Sequence, residues 1–116
     1  MKLYIAVLDE FPDYMTPTLV AHAMLGAHLK FAAVSKDYGL PMYPEYIDWL
    51  ENSFKKAVVR VNQKEFDKIA ALPAVHIGYE SNTLDGRNSC VVVCPYPDNE
   101  PLPNVLKFAK LWKPKE

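Results

Sequence analysis

Between Thr16 and Val34 the chain reads T-P-T-L-V-A-H-A-M-L-G-A-H-L-K-F-A-A-V. Leu19, Val20, Ala23, Met24, Leu25, Ala27, Leu29, Phe31, Ala32 and Val34 go most of the way round a helical wheel, and a helix apolar on every side has to be buried on every side. Such a helix forces the rest of the chain to pack around it. Thr16 is placed to cap it, with Pro17 at the first helical position, where a missing N–H costs nothing. Ala21, Ala23, Gly26 and Ala27 allow a neighbouring backbone to approach closely. A mid-helix glycine costs about 1 kcal/mol against alanine unless such a contact offsets it.

The segments on either side supply the covering. Lys2–Leu8 is short, β-prone and almost continuously apolar, the pattern of a strand covered on both faces. Asp9–Met15 then leads into the helix from the carboxyl end of that strand, where open α/β sheets keep their ligand crevices. Asp9, Glu10, Asp13 and Tyr14 are therefore either crevice residues or members of a solvated acidic loop. Gly39, Pro41 and Pro44 mark a turn-rich linker. Pro44–Ser53 reads as a short amphipathic helix, Phe54–Val61 as a strand, and Gln63–Ala71 as a helix capped by Asn62. Val75–Tyr79 and Ser89–Val93 read as strands separated by a turn at Asp85-Gly86, and Leu102–Leu111 as a last helix with its lysines outward. The order β-α-α-β-α-β-β-α predicts an α/β fold. It is a single compact domain over residues 1–116, with a four-stranded mixed sheet and helices on both faces.

Length and charge narrow the function classes. The 116 residues carry a formal net charge of −1, which excludes a protein that coats nucleic acid without regard to sequence, since that affinity scales with phosphates neutralised. Lys55, Lys56, Arg60, Lys64, Lys68 and the lysines from Lys107 onward are either solvated surface charges or a local phosphate track. No apolar run reaches the roughly 20 residues of a membrane span. The acidic pair Asp9-Glu10 follows the first strand directly, which is not the pattern of a leader, so a cytoplasmic protein with no membrane partner is expected. Cys90 and Cys94 on one strand would lie about 13 Å apart, too far for a disulfide. They are expected as buried, reduced thiols.

No phosphate loop, dinucleotide glycine fingerprint, serine elbow or zinc-spaced cluster is present, so no cofactor or metal is expected. His22 lies in the second turn of the helix near the crevice end, where it either orients a substrate group or is a hydrogen-bonded core residue. His28 points to another side of the helix, so the two histidines cannot share a metal. Glu80, leaving the third strand, is either a general base or an exposed strand-end acid. Tyr96, between two prolines, is either a packing corner or a surface on which a base or sugar stacks.

The order of these segments is familiar. The first strand, the loop and the helix carrying A-H-A-M-L-G-A resemble the first third of the type II peptidyl-tRNA hydrolase family. The strand and helix of Lys55–Leu72, then C-V-V-V-C-P-Y-P from Cys90 and K-F-A-K-L-W-K from Lys107, are similar to the rest of that family in order and spacing. The resemblance implies hydrolysis of the ester joining a peptide to the terminal ribose of tRNA. The family's lysine-rich loop of the type K-M-x-x-G-K is replaced here by E-F-P-D-Y-M, and its D-A-G-R-T-Q segment by E-S-N-T-L-D-G-R-N. Glu80 then stands for the aspartate and Ser81 for a hydroxyl residue, with Asp85, Gly86 and Arg87 a rival placement. The nearer likeness is to the divergent peptidyl-tRNA hydrolase domain-containing branch, which shares the W-L-E glutamate and the P-Y-P turn.

Acids in place of lysines would repel a phosphate-rich substrate and remove groups that stabilise a developing oxyanion. Two functions follow. One is a hydrolase of peptidyl-tRNA or an acylated nucleotide, with Glu80 as base, His22 orienting and Ser81 or Thr83 donating a hydrogen bond. Its substrate would be bound by Thr18, Lys30, Tyr14, Arg87 and Tyr96. The other is a catalytically degenerate relative that binds a small molecule, nucleic acid or protein. Tyr38, Tyr43 and Tyr46, expected at the surface, suggest a homodimer.

Overall fold

The apolar run after Met1 forms the middle strand of the sheet. In β1 (Lys2–Leu8), Leu3 and every residue from Ile5 to Leu8 are buried, the both-faces burial that its unbroken apolar character predicts. The computed structural model describes residues 1–80 and 86–115. A short 3-10 turn (Asp13–Met15) leads into α1 (Thr16–Phe31), followed by α2 (Pro44–Asn52), β2 (Lys55–Val61), α3 (Gln63–Ala70) and β3 (Val75–Glu80). Then come β4 (Arg87–Val93), α4 (Asn104–Lys107) and β5 (Lys110–Leu111).

The sheet has five strands in the order β3-β4-β1-β2-β5, one more than the sequence reading expects. The fifth comes from the expected last helix, which is only one turn long. Lys110 and Leu111 pair with Arg60 and Val59, and Trp112 N–H donates to Val58 O at 2.8 Å. The free edge of β2 captures this segment, because an unpaired row of backbone groups is the strongest local partner available to it.

β1 and β2 are parallel, whereas β4 runs antiparallel to both β1 and β3, so the sheet is mixed as expected. The connection from β1 to β2 steps one way across the sheet and the connection from β2 to β3 steps the other. Right-handed crossovers in opposite directions place α1 and α2 on one face and α3 on the other. Between the carboxyl ends of β1 and β2 the chain leaves toward opposite faces, which makes that point the topological switch of the sheet. Asn62 caps α3 as expected, accepting from Glu65 N–H at 2.8 Å while Glu65 Oε1 accepts from Asn62 N–H at 2.9 Å.

α1 is not buried all round. Thr16, Leu19, Ala23, Ala27 and Phe31 form one buried stripe, while Leu25 is 66% and Leu29 73% exposed. Thr16 is the first helical residue and Met15 the cap, with no side-chain capping bond. The close approach expected of the small residues is present, because Gly78 of β3 faces Ala23 and a Cβ on Gly78 would stand 2.8 Å from that of Ala23. Tyr46, expected at the surface, is fully buried, stacked obliquely between Phe31 and Trp49, whereas Tyr38 is exposed. Cys90 and Cys94 are buried free thiols.

Candidate active site

The contact between Gly78 and Ala23 fixes where the end of β3 meets the start of α1. Side chains alternate along a strand, so Gly78 and Glu80 point to the same face, the one that α1 covers. Opposite them β4 carries a bulge: Gly78 pairs with Cys90 and Tyr79 with Asn88, leaving Ser89 as an extra residue. Bulges kink a strand and re-aim its side chains. Ser89 is fully buried and its hydroxyl stands 3.5 Å from the Gly78 carbonyl.

Glu80 is 5% exposed, and its Oε2 has no hydrogen-bond partner among the described residues. His22 Nε2 lies 3.6 Å from that oxygen, and the His22 side chain is 61% exposed. A buried carboxylate thus backs an imidazole that opens to solvent. The separation exceeds the usual 2.7–3.2 Å of a hydrogen bond, so a small movement of either side chain closes the pair. Thr18 stands one turn before His22 on the same face of α1 and is exposed. Beside Glu80, burial pushes the Cys90 thiol up to about 11, the hydrogen bond from Ser89 opposes this, and the glutamate charge adds to it. Cys90 therefore stays protonated and is not a nucleophile.

At the switch point a second group of charges is closed on itself. Arg60 Nη1 donates to Asp9 at 3.0 Å and to Asp13 at 3.1 Å, and Nη2 donates to Asp13 at 3.2 Å. The same guanidinium caps the Lys113 carbonyl at 2.5 Å and lies 4.8 Å from the Trp112 ring. Lys115 adds an ion pair to Asp9 at 2.8 Å and a backbone N–H to Asp13 at 2.6 Å. The Lys115 hydrogen bond, then Arg60, hold the Asp9 carboxyl below its ordinary value; Arg60, then the Lys115 backbone, do the same for Asp13. Arg60 was grouped by sequence with the surface lysines. Its position at the carboxyl end of β2, opposite an acidic loop at the carboxyl end of β1, is the signal that could have set it apart.

The other sequence candidates divide by position. Arg87, paired in register with Glu80, reaches the crevice end, where it binds Glu10 at 2.5 Å and covers the Phe11 ring at 4.8 Å. Tyr14 is 82% exposed on the 3-10 turn and makes no hydrogen bond to another described residue. Lys30 is not at this site: its Nζ donates to Val75 O at 2.6 Å, at the opposite end of β3, about 17 Å away along the strand. Tyr96 is also elsewhere, beyond the far end of β4, where it lines a small cavity with Tyr43, Glu45 and Glu100. His28 donates to or accepts from the Tyr46 hydroxyl at 2.8 Å, on the α2 side of the helix. Ser81, Thr83 and Asp85 lie outside the described residues.

The acids of the loop are therefore not bare. Three carboxylates, Asp9, Glu10 and Asp13, face three cations, Arg60, Arg87 and Lys115, so the mouth is locally neutral where the sequence reading expects repulsion. Among the described residues no group of His, Cys, Asp and Glu side chains has the arrangement of a metal site, and no helix is long and apolar enough to cross a membrane. No protein-family model matches the sequence, and no curated protein matches it.

Proposed function

We propose that the chain is a hydrolase of the type II peptidyl-tRNA hydrolase kind, cleaving the ester of a peptidyl-tRNA or a smaller acylated nucleotide. The observation that carries this reading is the buried Glu80 carboxylate, without a hydrogen-bond partner among the described residues and aimed at the exposed imidazole of His22. Burying a carboxylate without a partner is costly, and such groups persist where a reaction needs them.

Burial supports roles in the reverse of the sequence expectation. Glu80 lies behind His22 and cannot reach a substrate, so it positions the imidazole while His22 is the general base. With the Nε2 proton directed at Glu80, Nδ1 is left to take a proton from water as the water oxygen attacks the ester carbonyl. The tetrahedral intermediate then expels the ribose oxygen, which recovers the proton from His22. Thr18, one turn away, lies on the side from which the substrate approaches.

The test is release of N-acyl-amino acid from N-acyl-aminoacyl-tRNA at low salt, with an acylated adenosine as the small substrate. His22→Ala should lower kcat by about 10²–10⁴-fold. Glu80→Gln should lower kcat with KM unchanged while circular dichroism shows the protein still fully folded, which separates a positioning role from loss of folding. Absence of turnover, or turnover indifferent to His22→Ala, overturns the proposal. A second reading, a binding module, rests on the guanidiniums of Arg60 and Arg87. Each is held by a carboxylate and so is not free to stabilise an oxyanion. It predicts saturable binding of the acylated adenosine without turnover.

A further inference from the structure

The exposed side of α1 does not face open solvent along its whole length. α2 stands beside it, and the two helices bound a groove of about 480 Å³, within the size range of small-molecule sites. Met24 and Leu25 form one wall and Trp49 and Leu50 the other. The polar pair inside it, His28 and Tyr46, is satisfied internally by the 2.8 Å hydrogen bond between them. An occupant therefore needs an apolar body and no hydrogen bond along the floor.

The open end is different. Phe54 follows α2 with φ of +65°, the left-handed conformation that glycine or asparagine usually supplies after a helix and that is strained for a bulky residue. Its N–H is tied to the Trp49 carbonyl at 2.7 Å. The ring stacks on Trp49 with centroids 5.4 Å apart, yet Phe54 remains 57% exposed. Lys56 lies across both rings, with Nζ 3.4 Å from the Phe54 centroid and 5.2 Å from that of Trp49. It donates to the Phe54 carbonyl at 2.6 Å. Lys56 makes no ion pair with a described carboxylate, and no acidic residue lines the groove. One positive charge without a carboxylate partner among the described residues thus stands at the mouth of an apolar trough.

We propose that this groove binds a small amphiphile with an apolar body and a single carboxylate, of the alkanoate or aryl-carboxylate class, with the body between α1 and α2 and the anionic end on Lys56. Charge complementarity selects the carboxylate: an alkylammonium would be repelled by Lys56, and an alcohol would bring no opposite charge to it. The strained Phe54 supplies the aromatic end wall that a glycine at that position would lack. This inference is independent of the Glu80 and His22 site, which lies on another side of α1.

Titration of the full chain with decanoate, followed by methyl NMR shifts of Met24, Leu25 and Leu50, tests it, with decanol and decyltrimethylammonium as controls. Decanoate should give saturable shifts confined to the groove, and Lys56→Gln should weaken it about tenfold. Decanol should bind at least about tenfold more weakly than decanoate. Phe54→Gly should weaken decanoate while leaving the melting temperature unchanged or higher, which separates loss of the wall from loss of the fold. Equal affinity for decanoate and decanol, indifference to Lys56→Gln, or no saturable shift overturns the proposal. So does a dimer that seals the groove and dissociates in Leu25→Asp.

Discussion

Arg60 is held by Asp9 at 3.0 Å and by Asp13 at 3.1 Å, whereas Glu80, three strands away across the same end of the sheet, keeps a buried oxygen with no hydrogen-bond partner among the described residues. The first group satisfies itself. Its carboxylates, guanidinium and the Lys115 ammonium close the switch point by tying the β1–α1 loop to β2 and to the tail. The second is buried with no hydrogen bond to Oε2 among the described residues, and it faces an imidazole open to solvent. Paired charges hold a fold in place; a buried carboxylate oxygen that accepts no hydrogen bond from a described residue costs stability and has to be explained by what it does.

The comparison breaks first at Gly78. Gly78→Ala would place a methyl 2.8 Å from the Ala23 Cβ, lifting α1 and with it His22 from Glu80. A loss of about 2 kcal/mol is expected, and equilibrium urea unfolding would measure it, with the proposed hydrolysis lost and the Arg60 group intact. Arg60→Gln acts on the other region. It leaves Asp9 and Asp13 without their shared cation, and differential scanning calorimetry should show Tm lower by about 5 °C.

The pH dependence of that difference has a defined sign. Both aspartates have folded values lowered below 3.8, so the stabilisation they contribute is complete above the unfolded value and lost as pH falls through the lowered folded values. The gap between wild type and Arg60→Gln should stay constant from about pH 7 to 5 and close below about pH 4. The smallest effect is expected at Gly26, where an added Cβ would meet His76 Nε2 at 2.5 Å. The ring tip can swing aside and alanine favours the helix by about 1 kcal/mol. Gly26→Ala should therefore change stability by less than about 1 kcal/mol, measured by the same urea titration.

Much of this was legible in the sequence where local chemistry decides structure. The unbroken apolar run of β1, the Asn62 cap and the spacing of Cys90 and Cys94 each have one local solution. Glu80 ends β3 and His22 stands in the second turn of α1, positions readable from the sequence, whereas the 3.6 Å approach between them is not. What failed was decided by distant partners. A helical wheel counts apolar residues on α1 but does not show that tertiary packing leaves Leu25 and Leu29 exposed. The run Val105 to Leu111 has helical periodicity, but the edge of β2 takes its last residues as a strand. Lys30 and Tyr96 have the right chemistry at the wrong end of the sheet, a distinction that spacing alone does not carry. Arg60 was hidden among lysines because its partners come from the β1–α1 loop and the tail.

Glu80→Gln bears most directly on the contrast between the two charge groups. Replacing a buried carboxylate that has no hydrogen-bond partner among the described residues with a neutral amide of the same shape relieves the desolvation cost, and a group kept for function should yield a more stable protein when it is neutralised. Urea unfolding at pH 7 should show Glu80→Gln more stable than wild type by about 1 kcal/mol, together with the kcat loss stated above. A Glu80→Gln protein less stable than wild type would show that the carboxylate holds the fold together as Asp9 and Asp13 do, and would contradict the account.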